Sequence, residues 1–341
     1  MGHTNKRLNY IDVAKGILIL TVIISHAPTE LAQYMYWFHM PAFFFISGLL
    51  YKNNFDFKTQ FTKFFLPYMA FSFVDILLCF LTSPETLSLS NFISYFSKHL
   101  YSGKATGGVF WFIPVLFFTK LIFDFLKKNF NNFFIILIGV ISYLMAHRYS
   151  INNIPEHIVD ITLDNYKLWD FDVIFMSLPY YIIGYYAKPI ISFVESKITL
   201  FLSILGVLIF TYLNWEMEFY YYLNMKFSYY KEPVLDLVVP LLFIILILSL
   251  SYRITLWGKY KNLSYIGKNS LVIMYLHNPI GSFFVQRYFV GPVSFLIIGL
   301  TSSLIINKYL IDKSDLLKFI TKGISPSKKS SREVQLSSLK Y

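Results

Sequence analysis

The chain has 341 residues, of which 56% are apolar and only 14% are charged, whereas a soluble domain usually carries about 25% charged residues. Aromatic residues make up 20% of the chain, which excludes an ordinary water-soluble protein. The single cysteine, Cys79, excludes an intrachain disulfide framework and any site that needs two thiolates. The net charge of +11 does not favour nucleic-acid binding, because the basic residues lie between apolar runs instead of forming one stripe.

Long apolar segments follow one another along almost the whole chain. A helix needs about 20 mostly apolar residues to cross a hydrocarbon core of ~30 Å. The segments 108–126 and 171–187 are interrupted by Lys or Asp, so eight or nine spans fit the sequence as well. The pattern predicts an all-α, polytopic integral-membrane bundle of about ten transmembrane helices: 8–28, 34–51, 62–82, 108–126, 131–147, 171–187, 198–215, 234–252, 268–287 and 292–309.

The distribution of charge between these segments predicts their orientation. Most Lys and Arg residues fall on one side, which favours cytoplasmic amino and carboxy termini. The first segment is not a cleavable signal peptide, because it contains Asp12 and Lys15 and leads directly into a second span. The bundle is predicted to occupy residues 1–310, and the polar, basic residues 311–341 are expected to form a disordered cytoplasmic tail.

Ionisable side chains inside predicted spans are candidate functional groups, because each is costly to insert into a membrane. Asp12 and Lys15 are neighbours on one helix face. Lys15 and His26 are separated by about 16 Å of helical rise and close to three turns, so they share a face. His39, near the outer end of the second span, lies at about the depth of His26. His277 lies in the middle of the ninth span.

Each of these groups also has a structural interpretation. Asp12 and Lys15 can form an ion pair at the cytoplasmic interface, and a lone histidine at a helix end is often an interfacial or hydrogen-bonded residue. A metal site is disfavoured, because His26 and His39 do not share a helix at ligand spacing and no HExxH motif is present. Phosphate-binding glycine loops and a GxSxG serine motif are absent from the sequence as well.

Two neighbouring segments, IDVAKGILILTVIISHA and FHMPAFFFISGLLYK, resemble the opening of acyltransferase family 3, in particular its fucose O-acetylase-like branch. The family motif is a basic residue, ten intervening positions and a histidine, which Lys15 and His26 match. Lys stands where many relatives have Arg, which alters any bidentate contact. Looser similarity follows around Lys63, around Trp111, in LPYYIIGYYAK, and in IGKNSLVIMYLHNP, which contains His277.

The resemblance implies a multi-pass enzyme of the bacterial cytoplasmic membrane, with acyl-coenzyme A as co-substrate and no metal. Such an O-acyltransferase moves an acyl group, commonly acetyl, to a hydroxyl of a cell-surface polysaccharide or glycolipid. Other expected partners are membrane lipid, a second copy of the chain and proteins of glycan assembly.

The resemblance also suggests roles for individual residues. His26 is expected to be the general base near the outer face. His39 is expected to orient His26, contact the acceptor or stabilise the oxyanion, and Asp12 completes the predicted catalytic group by orienting Lys15. The remaining candidates are Lys15, Lys63 and Lys268 for coenzyme A and Trp111 and His277 for substrate. Positive-inside topology alone also accounts for Lys63 and Lys268.

Two other functions compete with acyl transfer. A transporter or flippase also buries Asp, Lys and His in proton relays, although the sequence has no inverted repeat and its charges concentrate in the first two spans. A non-catalytic membrane partner in glycan assembly is the second alternative, and the histidines would then be structural.

Overall fold

The computed structural model describes residues 2–53, 55–83, 87–106, 108–157, 160–162, 165–216, 220–288 and 291–324. Within these ranges the chain is a bundle of α-helices: α1 Gly2–His26, α2 Ala32–Tyr36, α3 His39–Leu49, α4 Phe57–Thr82, α5 Leu89–Tyr101, α6 Phe112–Asn129, α7 Asn132–Asn153, α8 Ile174–Tyr186, α9 Lys197–Trp215, α10 Leu235–Leu256, α11 Lys261–Lys268, α12 Ser270–Tyr288, α13 Pro292–Tyr309 and α14 Asp315–Lys322. Short 3₁₀ turns cover 103–106, 168–173, 191–195 and 311–313.

Each predicted span overlaps one of these helices, and six regions of the described chain are helical, long and apolar enough to cross a membrane. These six are Asn9–His26, Phe57–Leu81, Asn132–Asn153, Lys197–Trp215, Leu235–Leu256 and Pro292–Lys313. The chain is therefore a helical, multi-pass membrane protein. The number of crossings and the side of the termini stay predictions. "Outer" below means the face at the carboxyl end of α1, and "inner" means the opposite face, which carries α11 and α14.

The predicted second span, 34–51, is not one continuous spanning helix. It is divided into α2 and α3, and α3 has only 11 residues, which rise about 16 Å, well short of a ~30 Å core. α8 is also short, with 13 residues. Both helices are buried on nearly every side, so they lie within the bundle and the longer helices surround them.

α3 and α8 pack with their backbones in direct contact. A Cβ atom added at Gly48 would collide with the carbonyl oxygen of Tyr181, and one added at Gly184 would collide with that of Phe45. Glycine is needed at both positions because no other residue allows so close an approach. This contact fixes the height of α3, and therefore of His39, inside the bundle.

The carboxyl end departs from the predicted boundary at residue 310. Residues 311–313 form a 3₁₀ turn and Asp315–Lys322 form α14, which packs on the inner end of α4. α14 begins with a Ser314 cap and ends at Gly323, whose left-handed backbone (φ 62°) sits against Lys63. The expectation of a disordered tail from 311 is wrong for these residues, because α14 has an apolar face that α4 covers. Residues 325–341 lie outside the described chain.

Candidate active site

Three histidines from three helices meet below the outer face, and we call His26, His39 and His277 the histidine cluster. His26 ends α1, His39 begins α3, and His277 lies in the middle of α12. The Nδ1 atom of His26 is 3.4 Å from Nε2 of His277, and the two ring centroids are 5.1 Å apart. His39 lines the same pocket as His26. The expectation that His26 and His39 lie at similar depth agrees with this arrangement.

All three imidazoles make the same local hydrogen bond. Nδ1 lies 2.8 Å from the Val22 carbonyl oxygen in His26 and 2.9 Å from the Ile273 carbonyl oxygen in His277, each four residues earlier. His39 has the same contact with Met35. A carbonyl oxygen can only accept, so Nδ1 carries the proton in each neutral ring and Nε2 is left as the acceptor.

His277 is positioned to act on His26. Nδ1 of His26 donates mainly to the Val22 carbonyl at 2.8 Å. Two weaker contacts share the same N–H, Oγ of Ser25 at 3.3 Å and Nε2 of His277 at 3.4 Å. The free nitrogen of His26 is therefore Nε2, a base of fixed orientation. When Nε2 takes a proton, the ring becomes a cation and its Nδ1–H donates more strongly. His277 accepts that hydrogen bond, as the carboxylate of a serine-hydrolase triad does.

The outer pocket is the space in front of His26 and His39. It measures about 20 Å³, which is little more than one water molecule needs, so substrates enter only when side chains move. Its wall combines imidazole, aromatic, thioether, amide and ammonium groups. The lining residues are Val22, His26, Tyr36, His39, Met40, Phe43, Val109, Trp111, Phe112, Asn224, Met225, Lys226 and Met274.

One of the predicted site residues, His277, does not occupy the place expected of a substrate contact. Trp111 lines the outer pocket, as a substrate contact requires. His277 is fully buried behind His26 and is not among the residues that line the pocket. Asp12 binds Lys15, as their spacing predicts, with Nζ of Lys15 and Oδ1 of Asp12 2.7 Å apart. It lies about 21 Å from His26 along α1.

The predicted coenzyme contacts separate into two groups at the inner face. Lys15 and Lys268 both approach the Asp12 carboxylate, at 2.7 and 4.0 Å, where Gly267 brings the backbones of α1 and α11 together. Lys63 lines a different space of about 640 Å³, the inner cavity, which lies between α3, α4 and α6. Its lining residues are Ser47, Leu50, Tyr51, Lys52, Phe55, Asp56, Thr59, Gln60, Lys63, Phe64, Leu116 and Lys120.

The inner cavity and the outer pocket lie end to end between α3 and α6. Phe43 and Phe112 line the outer pocket, and Ser47 and Leu116, each four residues further on, line the inner cavity. Four residues are about one helical turn, or about 6 Å. The Phe43 and Phe112 rings, whose centroids are 5.8 Å apart, stand at this boundary. A thin aromatic layer thus separates the histidines from a space that contains three lysines.

A comparison with protein families identifies the chain. The model of an acyltransferase domain matches residues 8–310. The chain belongs to acyltransferase family 3. Searches of curated proteins and of solved structures give no significant match. As a member of acyltransferase family 3, the chain is a membrane acyltransferase, and the match includes the histidine cluster and the inner cavity.

Several polar residues of this acyltransferase were not identified from the sequence. Lys226 reaches the outer pocket from the connection between α9 and α10, and its signal in the sequence is a Lys within an aromatic segment that also contains Lys231. His99 and His147, which had no predicted role, lie 3.2 and 3.1 Å from the carboxylates of Asp75 and Asp236. Within the described ranges, no group of three or more His, Cys, Asp or Glu side chains is placed to hold a metal ion.

Proposed function

We propose that the protein transfers an acyl group, commonly acetyl, from cytoplasmic acyl-coenzyme A to a hydroxyl of a cell-surface polysaccharide or glycolipid sugar. The observation that carries this proposal is the end-to-end arrangement of the outer pocket and the inner cavity. The outer pocket contains a base that can activate a hydroxyl, and the inner cavity contains cations that can bind phosphate. The similarity of the first two motifs to the fucose O-acetylase-like branch supports a sugar acceptor.

The donor enters from the inner side in this proposal. Coenzyme A carries phosphates that are too polar for the hydrocarbon core, so its head stays at the inner cavity, where Lys52, Lys63 and Lys120 supply positive charge. Lys15 and Lys268 extend the basic surface beside Asp12. The acyl-pantetheine arm then follows α3 for about 12 Å, from Ser47 to His39. The aromatic layer must open for the thioester to pass.

His26 is the proposed general base at the end of this path. Its Nε2 removes the proton of the acceptor hydroxyl as the oxygen attacks the thioester carbonyl, an effect typically worth 10²–10⁴-fold in rate. His277 stabilises the imidazolium that forms. His39, buried beside Tyr36, is placed to contact the acceptor. Its neutral ring has no N–H to spare for an oxyanion, because Nδ1–H donates to Met35.

Purified full-length protein tests the proposal directly. The assay supplies acetyl-coenzyme A and a glycan extract, and it follows both thiol release and the new ester by mass spectrometry. We expect His26→Gln to abolish the ester while His157→Gln, at an exposed histidine outside the cluster, leaves it unchanged. Full activity of His26→Gln would refute the base assignment. No thiol release from the wild type would favour a transporter or a non-catalytic partner.

A further inference from the structure

A further cavity opens at the inner face, and we call it the tyrosine cavity. It lies where the amino-terminal half of α1 approaches the inner end of α10 and the connection that follows α8. It measures about 430 Å³, which is a typical size for a small-ligand site. Its wall combines three phenol rings with amide, ammonium and carboxylate groups. The residues that carry these groups are Tyr10, Tyr252, Tyr260, Asn9, Lys188 and Glu195.

The tyrosine cavity borders both groups of lysines at the inner face. Asn9 lies about one helical turn before Asp12 on α1, and Asp12 is the carboxylate that the first group of lysines approaches. At another edge, the ammonium group of Lys188 donates to the backbone carbonyl of Tyr51, a residue that lines the inner cavity. The tyrosine cavity and the inner cavity are therefore neighbours, and one elongated ligand can occupy both.

The charges in the tyrosine cavity favour a neutral ligand over a phosphate. Among the described residues that line it, Glu195 is the one acidic residue and Lys188 is the one basic residue. The Lys188 ammonium group is engaged by the Tyr51 carbonyl and lies 4.8 Å from the ring centroid of Tyr185. A phosphate here would be repelled by the Glu195 carboxylate. The lysines of the inner cavity offer a phosphate a better site.

The aromatic and amide groups of the wall suit a flat heterocyclic base. Tyr10 is buried, and its ring centroid is 6.1 Å from that of Tyr252 in an edge-to-face contact. Nδ2 of Asn9 donates to the Tyr260 hydroxyl at 3.3 Å, and because an amide NH₂ has two donors, this contact uses only one of them.

These groups match the chemistry of adenine. Nucleic-acid bases stack on aromatic side chains, and an asparagine amide can pair with both the exocyclic amino group and a ring nitrogen of adenine. A carboxylate such as that of Glu195 accepts hydrogen bonds from an amino group. The tyrosine cavity thus brings together three kinds of group that recognise an adenine ring.

Resting on the proposed acyl transfer, we propose that the tyrosine cavity binds the adenosine part of the acyl-coenzyme A donor. The adenine ring packs against the tyrosine rings and donates from its amino group to Glu195. The phosphates remain at the lysines of the inner cavity, and the acyl-pantetheine arm continues between α3 and α6 toward the histidine cluster. Contacts to this unreactive end of the donor help to hold the thioester in position for reaction.

Two acetyl donors that differ by the adenine nucleotide test this site. Acetyl-coenzyme A contains the nucleotide, whereas S-acetyl phosphopantetheine lacks it and keeps the thioester arm and one phosphate. Tyr252→Ala should raise the KM for acetyl-coenzyme A about 10-fold, as loss of a stacking ring does, and should leave the KM for S-acetyl phosphopantetheine unchanged. Tyr252→Phe keeps the ring and should keep both wild-type KM values.

A matched control removes a different aromatic ring. Trp257 is exposed at the inner end of α10 and is not among the residues that line the tyrosine cavity, so Trp257→Ala should change neither KM. Thermal unfolding in detergent shows whether each variant is folded. In folded Tyr252→Ala, an unchanged KM for acetyl-coenzyme A, or an equal rise in both KM values, would overturn the proposal.

The wild-type protein supplies a measurement that needs no substitution. Adenosine monophosphate should compete with acetyl-coenzyme A more strongly than uridine monophosphate, whose smaller ring lacks the amino group. Equal inhibition by the two nucleotides would show that only phosphate is recognised and would overturn the proposal. These results leave the proposed acyl transfer intact, whereas absence of acetyl transfer from either donor by the wild type would refute both proposals.

Discussion

His277 offers a sharp test of how the histidine cluster works. The substitution His277→Phe keeps a ring of similar size in a fully buried position and removes the Nε2 acceptor that faces Nδ1 of His26 at 3.4 Å. His26 keeps its shorter bond of 2.8 Å to Val22. The ring orientation and the tautomer of His26 should therefore survive, and only the support of its charged form should be lost.

The size of the effect follows from that geometry. A hydrogen bond to a charged group contributes about 1.5–3 kcal/mol, and a contact of 3.4 Å belongs at the weak end of that range. Because about 1.4 kcal/mol changes a rate tenfold, we expect kcat to fall about 10-fold. KM should change little, because His277 does not line the outer pocket.

Acetyl transfer by purified His277→Phe, measured beside His26→Gln, decides between three roles. His277→Gln supplies an amide oxygen that can accept from Nδ1 of His26, so it should recover part of the lost activity. A loss as large as that of His26→Gln would mean that His277 is itself the base, and our assignment would be wrong. Wild-type activity in His277→Phe would mean that the contact between His277 and His26 contributes to packing only and not to catalysis. Thermal unfolding identifies a loss that comes from misfolding.

Two further predictions concern the scaffold and the donor path. Gly48→Ala should lower the unfolding temperature in detergent, because the added Cβ collides with the Tyr181 carbonyl and overpacking costs about 1–3 kcal/mol. The control Gly291→Ala adds its Cβ in open space and should leave the unfolding temperature unchanged; equal unfolding temperatures of the two variants would refute the contact. Lys120→Met should raise the KM for acetyl-coenzyme A about 10-fold, because a hydrogen bond to a charged phosphate contributes about 1.5–3 kcal/mol. The control Lys197→Met, at an exposed inner position, should leave this KM unchanged. An unchanged KM in Lys120→Met would mean that Lys120 does not bind the donor.

Much of the fold is predictable because it depends on local sequence. Apolar segments of about 20 residues identify helices whose backbone groups must bond internally in lipid, and every predicted span overlaps a helix of the structure. The fixed rise of a helix also places Lys15 and His26 on one face from their spacing alone. The motif similarity to acyltransferase family 3, confirmed by a family match over residues 8–310, rests on the same local segments.

The division of the second span into α2 and α3 could not be predicted in this way. The hydropathy of residues 34–51 indicates that this segment is buried away from water, but a helix buried in protein and a helix exposed to lipid have the same apolar composition. The glycine contact of α3 with α8 depends on residues more than a hundred positions apart, Gly48 and Tyr181. Likewise, the sequence of α14 does not show which helix covers its apolar face, and only the tertiary structure shows that α4 does so.

The sequence by itself determined that the protein lies in a membrane, where its helices are, and which reactive side chains it contains. The chain is helical and membrane-embedded, with histidines near one face and lysines near the other. Only the tertiary structure decided which of them meet. It placed His277 behind His26 and brought Lys226 into the outer pocket, whereas the pairing of Asp12 with Lys15 already follows from their spacing on α1. The physical reason is that helix geometry acts over a few residues, whereas contacts between helices depend on packing across the whole bundle.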